Sequence, residues 1–354
     1  MVTCKQIAEM VGVSRQAAAS VLNDSPVCLV SPQNKAKILK LARELHYVRS
    51  NAARTLVRGK SGIIGILTGG LHIRKNQLHL ILLDQVLRKA GYLPCIIYTR
   101  SEEKHLISGI HDLLQQHADG LIFNSIPPDV IKKLRDARLD RMIPTVFADS
   151  PGAAALGVHE VVYDYGPFCQ EIREYCRKKE IRNAAAFTCN DRGFYYLHDV
   201  IRKLLPSLEV PCDEFPLIER SRILDPDRDK CRRFSRMHKK IAAMAKYDLL
   251  LFEQGIAAQS ALWSLRDRGW RIPEDIAVAA FSDFESCSSY IPALTIPELS
   301  PEQMAERTWQ LLARVMADPD LPPQRETIPL KMREGDTLKM PKGHRKTRTK
   351  ICNM

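Results

Sequence analysis

The sequence predicts an α/β protein with two doubly wound, parallel-sheet subdomains, preceded by a small unit of three helices. Three observations support this. From Ser61 onward, short apolar runs alternate with amphipathic helical segments, which is typical of parallel strands covered by helices on both faces. Before Ser61, apolar residues recur at helical spacing in three short segments. The length of 354 residues favours two or three domains over one compact core.

Two short helices joined by a tight turn are predicted at the N-terminus. Thr3 and Gln6 have the spacing of a capping box, and Gly12 stands where a helix ends in a left-handed residue. Ser14 can cap a second helix that runs to about Leu22. Two amphipathic helices with a glycine in the turn indicate a helix-turn-helix, whose second helix enters the major groove in DNA-binding versions. A plain helical hairpin is the alternative.

Two further helices are predicted before the α/β part of the chain. Ser31 and Pro32 form a cap and a first turn for a third helix, which ends near His46. Three helices of this length enclose a very small core, so the unit would gain stability from a partner or from DNA. A helix of two turns over residues 51–57 is too short to be stable alone in water, so it needs an external partner or is only a linker.

The alternation after Ser61 divides into two runs near residue 160. Strands are predicted at 62–67, 93–98, 120–123 and 145–148, and then at 183–188, 248–252 and 276–281. Helices are predicted at 78–90, 105–117 and 130–137, and then at 168–178, 193–205 and 257–268. Two such runs indicate two doubly wound subdomains. In that architecture ligands bind beyond the carboxyl ends of the strands, and clefts between domains are favoured sites.

Polar residues that follow predicted strand ends are therefore candidates for a ligand-binding cleft. Any one of them is more often a helix cap or a loop residue, so the set carries more weight than a single member. The main candidates are Thr68, His72, Asn124, Asp149, Asn190, Arg192, Gln254, Ser282 and Asp283, with Ser125 and Glu253 as neighbours.

The formal net charge of +12 is concentrated at the two ends of the chain. Residues 1–60 carry a net +7, residues 331–354 carry +6, and the middle carries −1. A neutral body with basic ends indicates a polyanion contacted by the ends. The final segment, 338–354, has almost no apolar content and is expected to be disordered; it either adds unspecific attraction to phosphates or has no role.

The spacing of the cysteines and the length of the apolar runs argue against a zinc-binding or membrane-spanning protein. The ten cysteines include no C-x-x-C pair, which predicts reduced, mostly buried thiols rather than a zinc site. The N-terminus opens directly into a capped polar helix rather than a signal peptide. The longest apolar runs are too short to span a bilayer. We therefore expect a cytoplasmic protein with no membrane association, no metal and no cofactor.

Three stretches of the chain resemble the lactose-repressor (LacI/GalR) family of bacterial transcription regulators. They are IAEMVGVS followed by SVLN, ARELHYVRSNAARTLVRGKSGIIGIL, and GWRIPEDIAVAAFSDFE followed by YIPALT. These motifs are long and collinear, and the resemblance covers roughly residues 2–335. It implies a periplasmic-binding-protein-like core, a homodimer, operator DNA as a partner, and a small, sugar-like effector bound between two lobes.

The resemblance assigns DNA contacts to the first two helices. In a dimer, the second helices would read two half-sites of a pseudo-palindromic operator. Side chains expected at base edges are Arg15, Gln16, Ala17 and Ser20, and those expected at phosphates are Thr3, Ser14 and Asn23. Arginine can pair with guanine and glutamine with adenine, each worth roughly 1–3 kcal/mol of discrimination. Phosphate contacts set the register of the protein on the duplex.

The segment after the third helix also receives an implied role. The helix at 51–57 would pair with its dimer mate in the minor groove, where Leu56 would unstack a base step and kink the duplex. Arg49 and Arg54 are expected DNA contacts of the same segment. DNA would then be the partner that so short a helix needs.

The chain also departs from the family pattern. Ala17-Ala18-Ala19 replaces the usual Thr-Val-Ser, and Arg49-Ser50 replaces Pro-Asn at the start of the hinge helix. Asp149 and Arg192 stand where the family often binds a sugar hydroxyl. Two expected cleft carboxylates are missing, because Gln254-Gly255 replaces Asn-Asp and Ala280-Phe281-Ser282 replaces Gly-Phe-Asp. A sugar, a related molecule, a different small ligand and weak ligand dependence all remain open.

The expected organisation has four parts. Residues 1–48 form the helix-turn-helix domain, 49–60 the hinge, 61–337 a two-lobed ligand-binding and dimerisation core, and 338–354 the basic tail. Lobe 1 is expected at about 61–160 plus 290–320, and lobe 2 at about 161–289 plus 321–337.

Two other classes of function compete with a regulator. A periplasmic-type small-molecule binding protein is the main alternative, because the core alone fits that class. The basic N-terminal module and the lack of a visible signal peptide argue against export. An enzyme is not expected, because G-x-S-x-G, P-loop, H-E-x-x-H and G-x-G-x-x-G motifs do not occur.

Overall fold

The computed structural model describes most of the chain as two units, Met1–Gly62 and Ile63–Met354. The described residues are 2–23, 28–47, 59–69, 71, 74–99, 103–137, 142–189, 195–218, 244, 246–282 and 292–339. The predicted hinge helix at 51–57 and residues 340–354 of the expected disordered tail lie outside the described residues, so these parts stay predictions. Leu338, where the tail was expected to begin, is instead fully buried.

Within its described residues the first unit contains three helices, as predicted. They are α1 (Cys4–Val11), α2 (Arg15–Leu22) and α3 (Pro32–Glu44). The helices enclose a core of six buried side chains, which are Ile7, Ala8, Ala18, Val21, Leu22 and Ile38. So small a core supplies limited stability by itself.

The predicted caps form at the helix ends of this unit. The Gln6 amide N–H donates to Thr3 Oγ1 at 3.3 Å, and Gln6 Oε1 accepts from the Thr3 N–H at 2.8 Å, which completes the capping box. Gly12 has a φ of 75°, the left-handed conformation expected where α1 ends. Ser14 Oγ accepts from the Ala17 N–H at 3.1 Å and so caps α2.

Strands and helices alternate along the second unit. The strands are β1 (Ile63–Thr68), β2 (Leu93–Tyr98), β3 (Gly120–Asn124), β4 (Thr145–Ala148), β5 (Glu160–Asp164), β6 (Ala184–Cys189), β7 (Cys212–Ile218), β8 (Leu249–Phe252), β9 (Ala277–Ala280), β10 (Ile296–Pro297), β11 (Arg325–Pro329) and β12 (Met332–Arg333). The helices are α4 (Arg74–Lys89), α5 (Glu103–Gln115), α6 (Pro128–Asp136), α7 (Gly166–Lys178), α8 (Tyr195–Leu204), α9 (Gly255–Asp267) and α10 (Pro301–Ala317). Every strand and helix predicted after Ser61 is found, with bounds that differ by a few residues at most.

The strands form two parallel sheets, which confirms the predicted fold class. The first has the order β11-β5-β4-β3-β1-β2, the second has the order β7-β6-β8-β9, and a short antiparallel pair joins β10 to β12. Alternate residues of the first sheet bury on opposite faces. Ile64 packs with Leu83 of α4 on one face, and Leu67 packs with Leu113 of α5 on the other. Helices on both faces explain why these strands are continuously apolar.

The division of the two lobes differs from expectation at two segments. Lobe 2 was expected to begin at about 161 and to include 321–337. Instead, Glu160–Asp164 and Arg325–Pro329 pair in parallel with each other in the first sheet. No strand is predicted from the sequence at either place. Only turns and a 3-10 helix separate β4 from β5, so the strand–helix alternation that identified the other strands is interrupted there.

None of the described helices combines the length and the apolar character that a bilayer-spanning segment needs.

Candidate functional site

The first candidate surface is the exposed side of α2. Ala18, Val21 and Leu22 are buried in the core of the first unit, whereas Arg15 and Gln16 are exposed. The Ser14 cap places these two long side chains in the first turn of the helix. Their donor and acceptor groups suit the edges of guanine and adenine.

The other side chains predicted to contact DNA are short, and most of them are half-buried or already bonded within the helices. Ala17 and Ser20 are half-buried, and the Ser20 hydroxyl donates to the Ala17 carbonyl at 2.8 Å. Thr3 and Ser14 are exposed, but both hydroxyls cap helices. Asn23 is exposed at the C-terminal end of α2. The long side chains that α2 presents to solvent in its first turn are therefore Arg15 and Gln16.

Several predicted residues lie outside the described residues. They are Arg49, Arg54 and Leu56 of the hinge segment, and His72, Asn190, Arg192 and Asp283 of the effector set.

The second candidate surface lies at the carboxyl ends of the strands in the first sheet. Asp149 follows β4, and its carboxylate Oδ2 lies 2.5 Å from Lys75 Nζ at the start of α4. The two side chains are 3% and 10% exposed. Ser125 Oγ lies 3.2 Å from the same carboxylate oxygen and 3.1 Å from Asn76 Oδ1. The aspartate predicted to bind an effector is therefore engaged by the chain itself.

Lys75 stays protonated although its side chain is buried. Burial alone lowers the pKa of a lysine, but the adjacent Asp149 carboxylate and the hydrogen bond to it outweigh burial, so the pKa of Lys75 lies above its ordinary value. Ser125 and Asp149 both have left-handed backbones, with φ of 56° and 49°. Such conformations in residues other than glycine cluster at binding sites.

A second group of buried polar side chains joins α4 to the strand ends. His79 Nδ1 lies 2.8 Å from Asn124 Oδ1, and Asn124 Nδ2 donates to Thr68 Oγ1 at 3.2 Å. Burial lowers the pKa of His79, so its imidazole is neutral near pH 7. Thr68 and Asn124 are thus fully buried within an internal network. The structure brings both close to Asp149, since Ser125 links β3 to that carboxylate.

Three buried polar atoms near this network form no hydrogen bond among the described residues. They are Asp149 Oδ1, His79 Nε2 and the Tyr163 hydroxyl. Lys75 Nζ lies 5.7 Å from the centre of the Tyr163 ring, which places the tyrosine beside the ion pair. Unsatisfied buried groups are costly, so these atoms are suited to hydrogen-bond a hydroxyl-bearing ligand.

The second sheet contributes a different set of polar residues at its strand ends. Gln254 and Ser282 are both buried, and the Ser282 hydroxyl donates to the Glu253 carbonyl at 2.8 Å. His198 of α8 lies between two carboxylates, 4.0 Å from Glu253 Oε2 and 3.9 Å from Glu214 Oε1. The polar group at the second sheet therefore contains two carboxylates beside one histidine. The group at the first sheet contains the Lys75–Asp149 ion pair, in which the two charges cancel.

The site residues predicted from the sequence do not include Lys75, His79, His198 or Glu214. The available signal was weak: three of these residues lie within amphipathic helices that directly follow a strand, where polar residues usually face solvent. Among the described residues, no group of three or more histidine, cysteine, aspartate or glutamate side chains could hold a metal ion.

Comparison with known proteins shows what this chain resembles. A periplasmic binding protein-like domain matches residues 219–338. The chain is 22% identical to the ribose operon repressor of Halalkalibacterium halodurans, over 96% of this chain and 98% of that protein. It is 23% identical to the HTH-type transcriptional regulator KdgR of Bacillus subtilis, over 90% of this chain and 93% of that protein.

Solved structures show the same architecture. The lac repressor dimer bound to operator and the anti-inducer ONPF matches with a TM-score of 0.79 at 18% identity, over 95% of this chain and 99% of that chain. A LacI-family transcriptional regulator from Silicibacter pomeroyi matches with a TM-score of 0.72 at 20% identity, over 96% and 100%. The resemblance of this chain to the lactose-repressor (LacI/GalR) family is therefore confirmed.

Proposed function

We propose that the chain is a sequence-specific DNA-binding transcription regulator, acting as a repressor. The observation that carries this proposal is α2, which buries one face in the core of the first unit and presents Arg15 and Gln16 to solvent. The net charge of +7 on residues 1–60 supports contact with a polyanion. The similar proteins named as repressors support it as well.

In this proposal α2 reads the major groove of an operator. Arg15 pairs with a guanine and Gln16 with an adenine, while Thr3, Ser14 and Asn23 contact phosphates. Ala17 offers an apolar contact, and Ser20 has a smaller part because its hydroxyl is already bonded within α2. The hinge helix at 51–57, with Arg49, Arg54 and Leu56, would add minor-groove contacts.

An exposed apolar strip supports a homodimer as the DNA-binding form. β2 is the edge strand of the first sheet, and its side chains Leu93, Ile96 and Tyr98 are exposed, as is Ile81 of α4. An uncovered apolar edge strand favours association with another chain. A second copy of this chain would cover it and would place two α2 helices on one duplex.

A small molecule bound between the two sheets would modulate operator affinity. Unpartnered buried atoms of Asp149, His79 and Tyr163 suit a ligand with hydroxyl groups, and Gln254 and Ser282 are buried polar residues that follow strands of the second sheet. We therefore propose a sugar or a related hydroxylated molecule as effector, and a cytoplasmic location. Coupling between effector and DNA would be of order 1–3 kcal/mol. No enzymatic activity is proposed.

The test is fluorescence anisotropy with a duplex from the region upstream of the gene. Arg15→Ala and Gln16→Ala should each weaken specific binding by roughly 5- to 150-fold, since each removes a base contact worth about 1–3 kcal/mol. Lys40→Ala, an exposed change on α3, is the matched control. Wild-type affinity should fall steeply with salt.

The same experiment addresses the alternative, a small-molecule binding protein without a DNA role. That class is favoured by the two-sheet fold alone. If no salt-sensitive specific binding is found, yet sugars raise the thermal unfolding temperature, the regulator proposal fails and the alternative holds.

A further inference from the structure

A cavity of about 600 Å³ lies beside β5 and β11, the two outermost strands at one edge of the first sheet. Its walls come from β5, β11, α7, α8 and the start of α6. None of the effector candidates that were predicted from the sequence and are described by the structure lines it. Tyr163, which lies beside Lys75, belongs to both sites, and the other lining residues separate this cavity from the cleft proposed above. We call this cavity the crossover cavity. Its volume lies within the range of small-molecule sites.

Three cationic side chains line the crossover cavity. Arg325 of β11 is engaged, because its Nε lies 3.1 Å from Glu160 Oε1. Arg173 of α7 and Lys203 of α8 are exposed, and neither forms an ion pair within the described part of the chain. Arg173 and Lys203 are therefore available to bind a ligand. They lie on α7 and α8, the helices that follow β5 and β6.

Two helices also begin at this cavity. α6 starts at Pro128 and α7 at Gly166, and both residues line the wall. Neither helix has a side-chain hydrogen bond from its N-cap residue. Helix N-termini carry partial positive charge and exposed N–H groups, which adds to the attraction that Arg173 and Lys203 exert on an anion.

A buried hydroxyl group marks the same wall. Tyr163 lines the cavity, is 6% exposed, and its hydroxyl has no hydrogen-bond partner among the described residues. This is an independent indication of a ligand, because a buried hydroxyl is normally paired.

Two carboxylates line the cavity as well. Asp164 Oδ1 accepts a hydrogen bond from the Gly166 N–H at 2.9 Å, so this carboxylate stabilises the first residue of α7. Asp199 stands four residues before Lys203 on α8, so the two share one helix face. A simple anion would be repelled by Asp199, whereas a ligand that also carries hydroxyl groups can donate to it.

We propose that the crossover cavity binds a hydroxylated organic anion, with the chemistry of a sugar acid or a sugar phosphate. Arg173 and Lys203 hold the anionic group, and Asp199 and Tyr163 bind hydroxyl groups. The ligand contacts helices of the second sheet and strands of the first, so it would stabilise one arrangement of the two lobes. The proposal does not rest on DNA binding.

Isothermal titration calorimetry on the full chain, without DNA, tests the site. The probes are D-gluconate and glucose 6-phosphate, with glucose and inorganic phosphate for comparison. Saturable binding of at least one hydroxylated anion is expected. Arg173→Gln and Lys203→Gln should each weaken it by about tenfold, as expected for loss of a charge-assisted contact. Lys179→Gln, an exposed change just after α7, is the matched control and should have no effect.

Gln254→Ala separates this site from the cleft, and Tyr163→Phe tests the buried hydroxyl that the two sites share. Gln254→Ala should leave the binding of the anion unchanged. Tyr163→Phe keeps the ring and should weaken binding several-fold while the protein still unfolds cooperatively. Three results would overturn the proposal: no binding of either hydroxylated anion, unchanged affinity in Arg173→Gln and Lys203→Gln, or inorganic phosphate binding as tightly as the organic anions, which indicates an adventitious ion only.

Discussion

Lys75 and Asp149 form a buried ion pair at the end of β4, with 2.5 Å between Nζ and Oδ2. The aspartate that sequence reasoning assigned to an effector is thus neutralised by a lysine of the same chain. An effector meets a site with no net charge at this position. This favours a neutral, hydroxylated ligand on the side of the first sheet.

Removal of the lysine should be strongly destabilising. Lys75→Met leaves the Asp149 carboxylate buried without its counter-charge, and we expect the free energy of unfolding to fall by about 3–5 kcal/mol. Urea denaturation measures this. The double variant Lys75→Met/Asp149→Asn should recover most of the loss. A single variant as stable as wild type would show that the pair contributes little.

Stability should fall in mild acid because of His79. Burial lowers the pKa of His79 in the folded protein, so the unfolded chain binds this proton first as pH falls. The contribution to stability is therefore complete above the unfolded pKa of about 6.5 and decreases below it. Urea midpoints at pH 7.5 and 5.5 measure the difference. His79→Gln should reduce it, whereas His111→Gln, an exposed change on α5, should leave it as in wild type.

The apolar edge strand should control the oligomeric state. Ile96→Asp places a carboxylate in the proposed dimer interface, and we expect the dissociation constant of the dimer to rise about 100-fold because an unpaired charge is costly to bury. Analytical ultracentrifugation measures it. Met142→Asp, at another exposed apolar position of the same unit, is the control. Equal effects of the two variants would argue against β2 as the interface.

Ser14 combines two roles that substitutions can separate. Its hydroxyl caps α2, and Ser14→Ala should cost about 0.5–2 kcal/mol of stability in the first unit. Ser14→Asp keeps a capping oxygen but adds a negative charge next to the proposed phosphate contact. We therefore expect Ser14→Asp to fold normally yet lose operator affinity in the anisotropy assay. Ser14→Asn, which caps without charge, should bind nearly as well as wild type. Normal DNA binding by Ser14→Asp would contradict the phosphate contact.

Much of the fold could be predicted because its signals are local. The caps at Thr3 and Ser14, the left-handed Gly12 and the strands at 93–98 and 145–148 all depend on residues within a few positions of each other. The strands β5, β7, β10, β11 and β12 were not predicted. Only turns and a 3-10 helix separate β5 from β4, and β11 follows α10, which was also not predicted. The partner of β11 in the sheet, β5, is distant in sequence.

The candidate site could be predicted only in part for the same reason. Thr68, Asn124 and Asp149 were found because polar residues follow parallel strands at one edge of a sheet. Their partners Lys75 and His79 were not, since a lysine or histidine in an amphipathic helix is usually exposed.

The sequence by itself determined the helix-turn-helix, the alternation of strands and helices, and the identity of the residues that α2 presents in its first turn. Only the tertiary structure decided that Lys75 neutralises Asp149, that the Tyr163 hydroxyl is buried beside them, and that Arg173 and Lys203 line one cavity. The physical reason is the distance along the chain over which each interaction acts. Caps and periodicity act between neighbours in the chain, whereas burial and ion pairing depend on which distant segments the sheets bring together.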